Sequence, residues 1–400
     1  MCNDNSSKIS ALVIGSHVQS LGIVRSLGRS GIKVILVTTS KFSISKYSKY
    51  PSKVYSIDRN SKSKEIIKGI VNIIRSEKIE MCNLYCTEDW IVELVSNYRK
   101  LLSKFANISL PSKTTVSIAL DKYKTYSFCT LNDIATPKTF QFDKVQDINS
   151  FSAISNYPVI IKPKVMHNFF KKTGKKALRC NNLQELKKNF SIGSEVVGSK
   201  GLVVQEMVPG NFNELYSFCS ISKNGKVYAN LIAKRERQHP IDFGSGTTFA
   251  KTILSKQIEK ESKKIIKKLN YTGPSEIEFK FDSKKNIFKF LEINIRFWKW
   301  HTIGEASGLD FPLLYHKLAS DQKIKFKETY KSGIKWSHTL VDIFNFIMIK
   351  ISDEKRTNFS LSPFDYNISA VYSKEDKFPQ IMEVLMLPLI VLERRLGSAN

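Results

Sequence analysis

Residues 276–298 read EIEFKFDSKKNIFKFLEINIRFW. Two apolar–polar alternating runs flank a polar turn at Asp282–Asn286, the pattern of a β-hairpin. In the first run Glu276, Glu278 and Lys280 share one face, and Ile277, Phe279 and Phe281 the other. In the second run Glu292, Asn294 and Arg296 share a face with Phe288 and Phe290. Glu278, Glu292 and Asn294 can therefore converge on one side of a sheet. Two carboxylates and an amide oxygen are hard ligands of the kind Mg²⁺ takes, and Arg296 beside them can hold a phosphate or a developing anion. A solvated hairpin with ordinary exposed charges is the plainer alternative. It leaves unexplained why Glu-x-Asn-x-Arg stands among large apolar side chains, so a metal–phosphate site is the favoured reading.

The 400 residues suffice for two or three domains, and a hydrophobic share of 42% is that of a globular chain. The net charge of +27 raises an anionic partner: nucleic acid, lipid headgroups or a phosphorylated substrate. The lysines are scattered in pairs such as Lys171-Lys172, Lys175-Lys176 and Lys284-Lys285, with no continuous basic block and no nucleic-acid motif. A lysine-rich composition that solvates the surface is therefore preferred over nucleic-acid binding. The six cysteines form no Cys-x-x-Cys pair. With no leader-like apolar run at the start, a cytoplasmic chain with free thiols is expected. No stretch reaches the roughly 18 apolar residues of a transmembrane helix. Ile381–Leu392 comes nearest and reads as a buried C-terminal helix, with peripheral membrane contact aided by Arg394 and Arg395 as the alternative.

Along the chain, Ser10–Ile14 is an apolar run ending at Gly15, Gln19–Arg29 has helical spacing, and Lys33–Thr38 is a second strand. This is a Rossmann-like opening without the G-x-G-x-x-G fingerprint, which argues against a dinucleotide. Met81–Cys86 is another buried strand, followed by Thr87-Glu88-Asp89. Ligands of open α/β sheets bind at the carboxyl ends of strands. Gly15, Ser16, Glu88 and Asp89 are thus candidates for one substrate crevice, with helix N-terminal charge the alternative for Glu88 and Asp89. Thr114–Leu131 reads as one or two helices. Val159–Lys162 is a strand closed by a lysine, whose half-buried charge calls for an anion. Residues 165–176 read as a basic loop able to fold over phosphates. Gly201–Met207 is a strand, and Glu214–Ser222 and Val227–Lys234 are strands about the turn Asn224-Gly225. Arg235 and Arg237 next to Gly244-Ser245-Gly246 suit anion recognition.

The order of these pieces resembles the ATP-grasp superfamily over roughly residues 10 to 320. The pieces are the Gly15 strand–helix unit, Asp121-Lys122, Ile160-Ile-Lys-Pro163, Gln205-Glu-Met-Val-Pro-Gly210 with Glu214, Glu276-Ile-Glu-Phe279 and Glu292-Ile-Asn-Ile-Arg296. Within it, His167-Asn-Phe-Phe170 and the run from Lys234 to Gly244 are similar to carboxylate–amine ligases near D-aspartate ligase. The resemblance implies an α/β fold with a Rossmann-like domain (1–112), an ATP-grasp domain (113–325, divided at about 136–208 and 209–325) and a C-terminal extension (326–400) packed on the core. It also implies ATP with Mg²⁺, or Mn²⁺ in its place. Lys122 and Lys162 would meet the phosphates, Glu206, Met207 and Val208 the adenine, and Glu214 the ribose. Glu278, Glu292 and Asn294 would hold the metal, with Arg296 and Arg235 at the transferred phosphate. The loop at 165–176 has fewer glycines than many ATP-grasp enzymes carry there.

The function so implied is ligation of a small carboxylate, D-aspartate or another amino acid, to an amine through an acyl phosphate. The acceptor would be a phosphorylated or nucleotide-linked cell-wall or surface-polymer precursor. An ATP-grasp ligase for an unrelated acid, an inactive nucleotide-binding scaffold and a basic nucleic-acid-binding protein are the rivals. Filled chemical positions at Lys162, Glu278, Glu292, Asn294 and Arg296 argue against the scaffold.

Overall fold

The computed structural model describes residues 9–153, 157–164, 169, 173, 177–210, 214–239, 244, 246–324, 329–351 and 361–397. Its contacts divide the chain into two compact units. The larger comprises Met1–Val116, Tyr216–Ile277 and Ile293–Leu389, and the smaller Ser117–Leu215, Glu278–Glu292 and Ile390–Asn400. The expected boundaries near 112 and 325 do not coincide with these: the chain changes unit inside the hairpin that opened the sequence reading.

The larger unit begins with β1 (Ser10–Ile14), α1 (His17–Arg29), β2 (Val34–Thr38), β3 (Lys53–Ser56), α2 (Ser63–Ser76), β4 (Cys82–Cys86), α3 (Asp89–Asn97), α4 (Arg99–Leu102) and β5 (Ala106–Asn107). The strands form a parallel sheet in the order β3-β2-β1-β4-β5. Every residue of β1, β2 and β4 is buried, as a parallel sheet covered on both faces requires. This is the Rossmann-like opening expected. Gly15 ends β1 at φ 139°, and a Cβ there would lie 1.7 Å from Thr87 Oγ1, so only glycine lets the first turn approach the end of β4.

The smaller unit begins with the second half of α5 (Lys113–Leu120) and α6 (Lys122–Leu131). The single break between them falls at Asp121, whose carboxylate caps α6 by accepting from Tyr123 N (2.9 Å) and Lys124 N (3.2 Å). There follow β6 (Thr139–Phe140), β7 (Val159–Pro163), β8 (Leu178–Cys180), α7 (Leu183–Val197) and β9 (Leu202–Glu206). The strands form an antiparallel sheet in the order β6-β9-β7-β8. Its apolar face, including Val159, Ile161, Leu202 and Val204, packs with Leu186 and Phe190 of α7. The basic loop at 165–176, with His167 and the Lys171, Lys172, Lys175 and Lys176 pairs, lies outside the described residues apart from Phe169 and Thr173.

A seven-stranded sheet in the order β14-β13-β10-β11-β12-β15-β16 takes up the rest. Its elements are β10 (Leu215–Lys223), β11 (Lys226–His239), β12 (Gly246–Ile253), α8 (Lys256–Lys268), β13 (Gly273–Asp282), β14 (Ile287–Asn294), α9 (Ile303–Ser307), α10 (Phe311–Ala319), β15 (Lys335–Ser337), α11 (Thr339–Ile351), β16 (Ile368–Ser369) and α12 (Phe378–Gly397). The expected hairpin is β13 and β14. β11 runs on to His239, whereas Lys234-Arg-Glu-Arg237 was expected to leave the strand at Lys234. A bulge between Arg235 and Arg237 in its pairing with β12 accommodates the charged run. The residues after 325 add β15 and β16 to the sheet. Their last helix, α12, is not the buried helix expected: Ile381, Val384, Leu385 and Leu389 are exposed, while Glu383 is buried.

The C-terminal segment is fastened within the larger unit by a buried ion pair. Arg25 of α1 donates through Nε to Asp376 Oδ2 (2.9 Å) and through Nη1 to the Val371 carbonyl (2.7 Å). Asp376 also accepts from Ser48 Oγ (2.7 Å) and Lys49 N (3.0 Å). Burial lowers the Arg25 pKa and Asp376 counteracts it. Removing one partner of such a pair strands the other charge, so Asp376→Ala is expected to lower unfolding free energy by about 3–5 kcal/mol in urea titrations. A loss within a few tenths of a kcal/mol would show the pair to be incidental.

Candidate active site

In the smaller unit the decisive side chain is Lys162, on β7 opposite Val203 of β9. It is half-buried among apolar neighbours, and its Nζ donates to Gln205 Oε1 (2.9 Å). Gln205 in turn donates from Nε2 to Thr139 Oγ1 (2.8 Å), which fixes the amide with its oxygen toward the lysine. A neutral amide compensates an ammonium poorly. Desolvation is accordingly the main cause of a Lys162 pKa pushed down to about 8, with Lys122 adding repulsion and Glu292 and Glu278 opposing it. Among the described residues no carboxylate forms an ion pair with Lys162. The position is short of negative charge, and a phosphate fits it.

The other expected residues of this unit fall around the same strands. Lys122 starts α6 and lies 3.7 Å from Glu292 Oε2. Glu292, on β14, keeps its side chain 45% exposed and open to a ligand, whereas Glu278 on β13 is buried. Glu206, expected to read a nucleobase through its side chain, is instead ion-paired with Lys289, which also meets Asp282 Oδ2 at 3.0 Å. The N–H groups of Glu206 and Met207 donate to the carbonyls of Lys138 (2.9 Å) and Pro158 (3.2 Å). Val208 is buried. Glu214 rests against Gly210, at φ 120°, where a Cβ would come 2.0 Å from Glu214 Oε2. Burial lowers the Lys280 pKa and Glu214 counteracts this. Sequence reading passed over Lys289 and Asp282. Its available signal was a lysine between Phe288 and Phe290, on the strand face that Leu291 and Ile293 make apolar.

In the larger unit Glu276 is the organising carboxylate. It is buried and accepts from Ser217 Oγ, Trp300 Nε1 and Asn294 Nδ2, each at 3.0 Å, with Arg235 Nη2 at 4.0 Å. Because Nδ2 of Asn294 is given to Glu276, Oδ1 is turned outward as an acceptor, and Arg296 Nη2 meets it at 3.3 Å. Arg296 Nε lies 3.2 Å from Asp89 Oδ1. Arg296 and Asp89, expected in the phosphate site and the substrate crevice respectively, are thereby neighbours. Ser16 and Glu88 also come together, through a residue sequence reading did not single out. Ser16 Oγ accepts from Thr39 N (3.0 Å) and Ser40 N (3.1 Å), and Thr39 Oγ1 donates to Glu88 Oε1 (2.5 Å). Trp90 Nε1 donates to Glu88 Oε2 (2.7 Å).

Arg237, expected beside Arg235, is placed differently. A bulge places adjacent residues on the same side, so the alternation is broken at Glu236 and the two arginines part company. Arg235 turns toward Glu276. Arg237 is fully buried and gives its guanidinium to Asp342 (2.9 and 2.5 Å) and the Leu361 carbonyl (2.9 Å), with the Phe249 ring 4.3 Å away. Its side chain is packed in the core. Among the described residues no three His, Cys, Asp or Glu side chains group as a ready-made metal cage. Mg²⁺ does not need one, since it retains waters and takes substrate phosphate oxygens beside one or two carboxylates. The donor chemistry of Glu278 and Glu292 fits it.

Comparison with known proteins points the same way. A family profile described as the carbamoyl-phosphate synthase L chain, ATP binding domain, matches residues 230–327. A D-aspartate ligase of Enterococcus faecium (strain Aus0004) is 21% identical over 298 residues, 71% of this chain and 70% of that protein. The L-amino acid ligase of Bacillus licheniformis superposes with a TM-score of 0.60 at 16% identity, covering 78% of this chain and 74% of the other. The biotin carboxylase domain of Hydrogenobacter thermophilus 2-oxoglutarate carboxylase, solved with MgADP, ADP and bicarbonate, gives 0.64 at 14% identity, covering 82% and 73%.

The Lys162 environment sets a pH dependence. A group whose pKa lies near 8 in the free chain and is raised by a bound anion takes up a proton on binding above that pH. Affinity for inorganic pyrophosphate, measured by calorimetry, is therefore expected to be level below about 8 and to fall by up to about tenfold per pH unit above it. Lys162→Arg, charged throughout, is expected to flatten that fall, and an unchanged profile in that variant would remove Lys162 from the site.

Proposed function

We propose that the chain is an ATP-grasp ligase that joins a small amino acid, D-aspartate by the nearest chemistry, to an amine at the expense of ATP. The single observation that carries this is Lys162, a desolvated ammonium with an amide for company and two carboxylates, Glu278 and Glu292, acting on it. Cations with carboxylates of this arrangement suit a polyphosphate with its metal. Lys162 and Lys122 take the phosphates. Glu214 takes the ribose, while the Glu206 side chain is committed to Lys289, so the nucleobase is left to the backbone at Val208. Glu278, Glu292 and Asn294 would hold Mg²⁺ (or Mn²⁺), which would supply neutralisation of charge on the transferred phosphoryl group.

In the proposed reaction a carboxylate oxygen attacks the γ-phosphorus and ADP leaves. The amine nitrogen then attacks the acyl carbon, phosphate leaves, and the nitrogen gives up its proton. Arg296 and Arg235 face the negative charge that develops at phosphorus and at the acyl oxygen. Asp89, 3.2 Å from Arg296, favours a substrate bearing a cationic amine beside its carboxylate. The Ser16–Thr39–Glu88 chain at the strand ends completes the substrate crevice. A phosphorylated or nucleotide-linked cell-wall or surface-polymer precursor as amine donor agrees with the chain's net charge of +27.

The test is ADP formation over a panel of D- and L-amino acids with candidate amines, followed by product mass. An amide product dependent on both substrates is expected. Glu292→Ala is expected to lower the rate by about 10²-fold or more while thermal unfolding is unchanged, since the side chain is 45% exposed. Normal turnover in that variant would remove Glu292 from the metal site. ADP formed with bicarbonate alone would redirect the proposal to a carboxylating ATP-grasp enzyme.

A further inference from the structure

Helix α11 and the part of α12 up to Leu389, both in the larger unit, are amphipathic the wrong way round. On α11, Phe344, Ile347, Met348 and Ile351 are spaced as one helical stripe and exposed at 55%, 48%, 47% and 73%. The inward face of the same helix carries polar groups. Asp342 takes the Arg237 guanidinium and the Thr248 hydroxyl, and Asn345 Nδ2 donates to the Gln238 carbonyl (3.1 Å) and Thr248 Oγ1 (3.2 Å). On α12, Ile381, Val384, Leu385 and Leu389 form a second exposed stripe, while Glu383 turns inward to His338 Nε2 at 2.5 Å. His338 directly precedes α11, so one buried contact fastens α12 beside the start of its neighbour. Polar anchors hold both helices by their insides and leave apolar surface outside, where a monomer in water gains nothing from it.

We infer that this pair of stripes docks on an anionic lipid surface, with the helices lying along it. Charge decides the occupant. Exposed Lys350, Lys374 and Lys377 flank the stripes, and the chain carries +27 overall. A second copy would bring like charge against like, whereas an anionic leaflet attracts it. Exposed Phe378 and Tyr372 at the margin are suited to the headgroup level. Among the described residues no helix is long and apolar enough to cross a membrane, so contact is from one side.

Co-sedimentation with vesicles of phosphatidylglycerol and phosphatidylcholine, against phosphatidylcholine alone, tests this. General positive charge alone draws a basic protein to anionic vesicles, so the deciding arm is run in about 1 M salt, where the screening length falls to about 3 Å. The chain is expected to prefer anionic vesicles at low salt and to retain binding at high salt. The triple variant Ile347→Gln, Ile351→Gln, Leu385→Gln, altered only at exposed positions, is expected to lose that salt-resistant binding by about tenfold or more with its thermal unfolding and ATP turnover unchanged. Absence of vesicle binding, or equal binding by the variant, would overturn the inference. So would a dimer in ultracentrifugation that the same substitutions disperse, since that would make the occupant a second copy.

Discussion

A lysine ammonium drawn partly out of water, with an amide oxygen as its hydrogen-bond partner, is an unfinished interaction. In Lys162 it is built in by the strand register: β7 places the side chain across from β9, and Gln205 of β9 is locked by Thr139 so that its oxygen faces the charge. The antiparallel sheet, its α7 backing and the capped start of α6 that carries Lys122 all serve to hold that cation where burial disfavours it. A fold tolerates such a position when a ligand completes it. Lys289 makes the contrast plain. It is buried too, but Glu206 and Asp282 neutralise it, its pKa is raised where that of Lys162 is lowered, and it therefore supports structure.

Glu276 plays the corresponding part in the larger unit. Three hydrogen bonds at 3.0 Å hold its carboxylate, and by claiming the Asn294 amide N–H it leaves Asn294 Oδ1 as the acceptor that Arg296 meets. A carboxylate so occupied orders the side chains around it.

The parts of this arrangement that follow from local pattern were legible in the sequence. Period-2 alternation located β13 and β14 and put Glu278, Glu292 and Asn294 in their strands, and short, mainly apolar runs ending in glycine or polar residues located β1 and β4. What was not legible depends on partners far along the chain. The strand read as ending at Lys234 runs on to His239, and within it Asp342, 105 residues away, neutralises Arg237. A contact across 45 residues hid the inverted helices: an apolar repeat fixes the face of α12 but not its direction, and the inward turn of Glu383 to His338 reverses it. The Gln205–Lys162 contact has no local signature: the strand pattern marks Lys162 but not its partner, 43 residues on.

The central claim is that these carboxylates and lysines form one site whose metal binds together with a nucleotide. Titrating Mn²⁺ into the chain and following the free ion by its paramagnetic resonance signal, with and without ATP, addresses it directly. Two carboxylates and an amide leave the coordination shell to be completed by phosphate oxygens, so tight Mn²⁺ uptake only when ATP is present is the expected result. Uptake of equal strength without ATP, or none with it, would contradict the assignment.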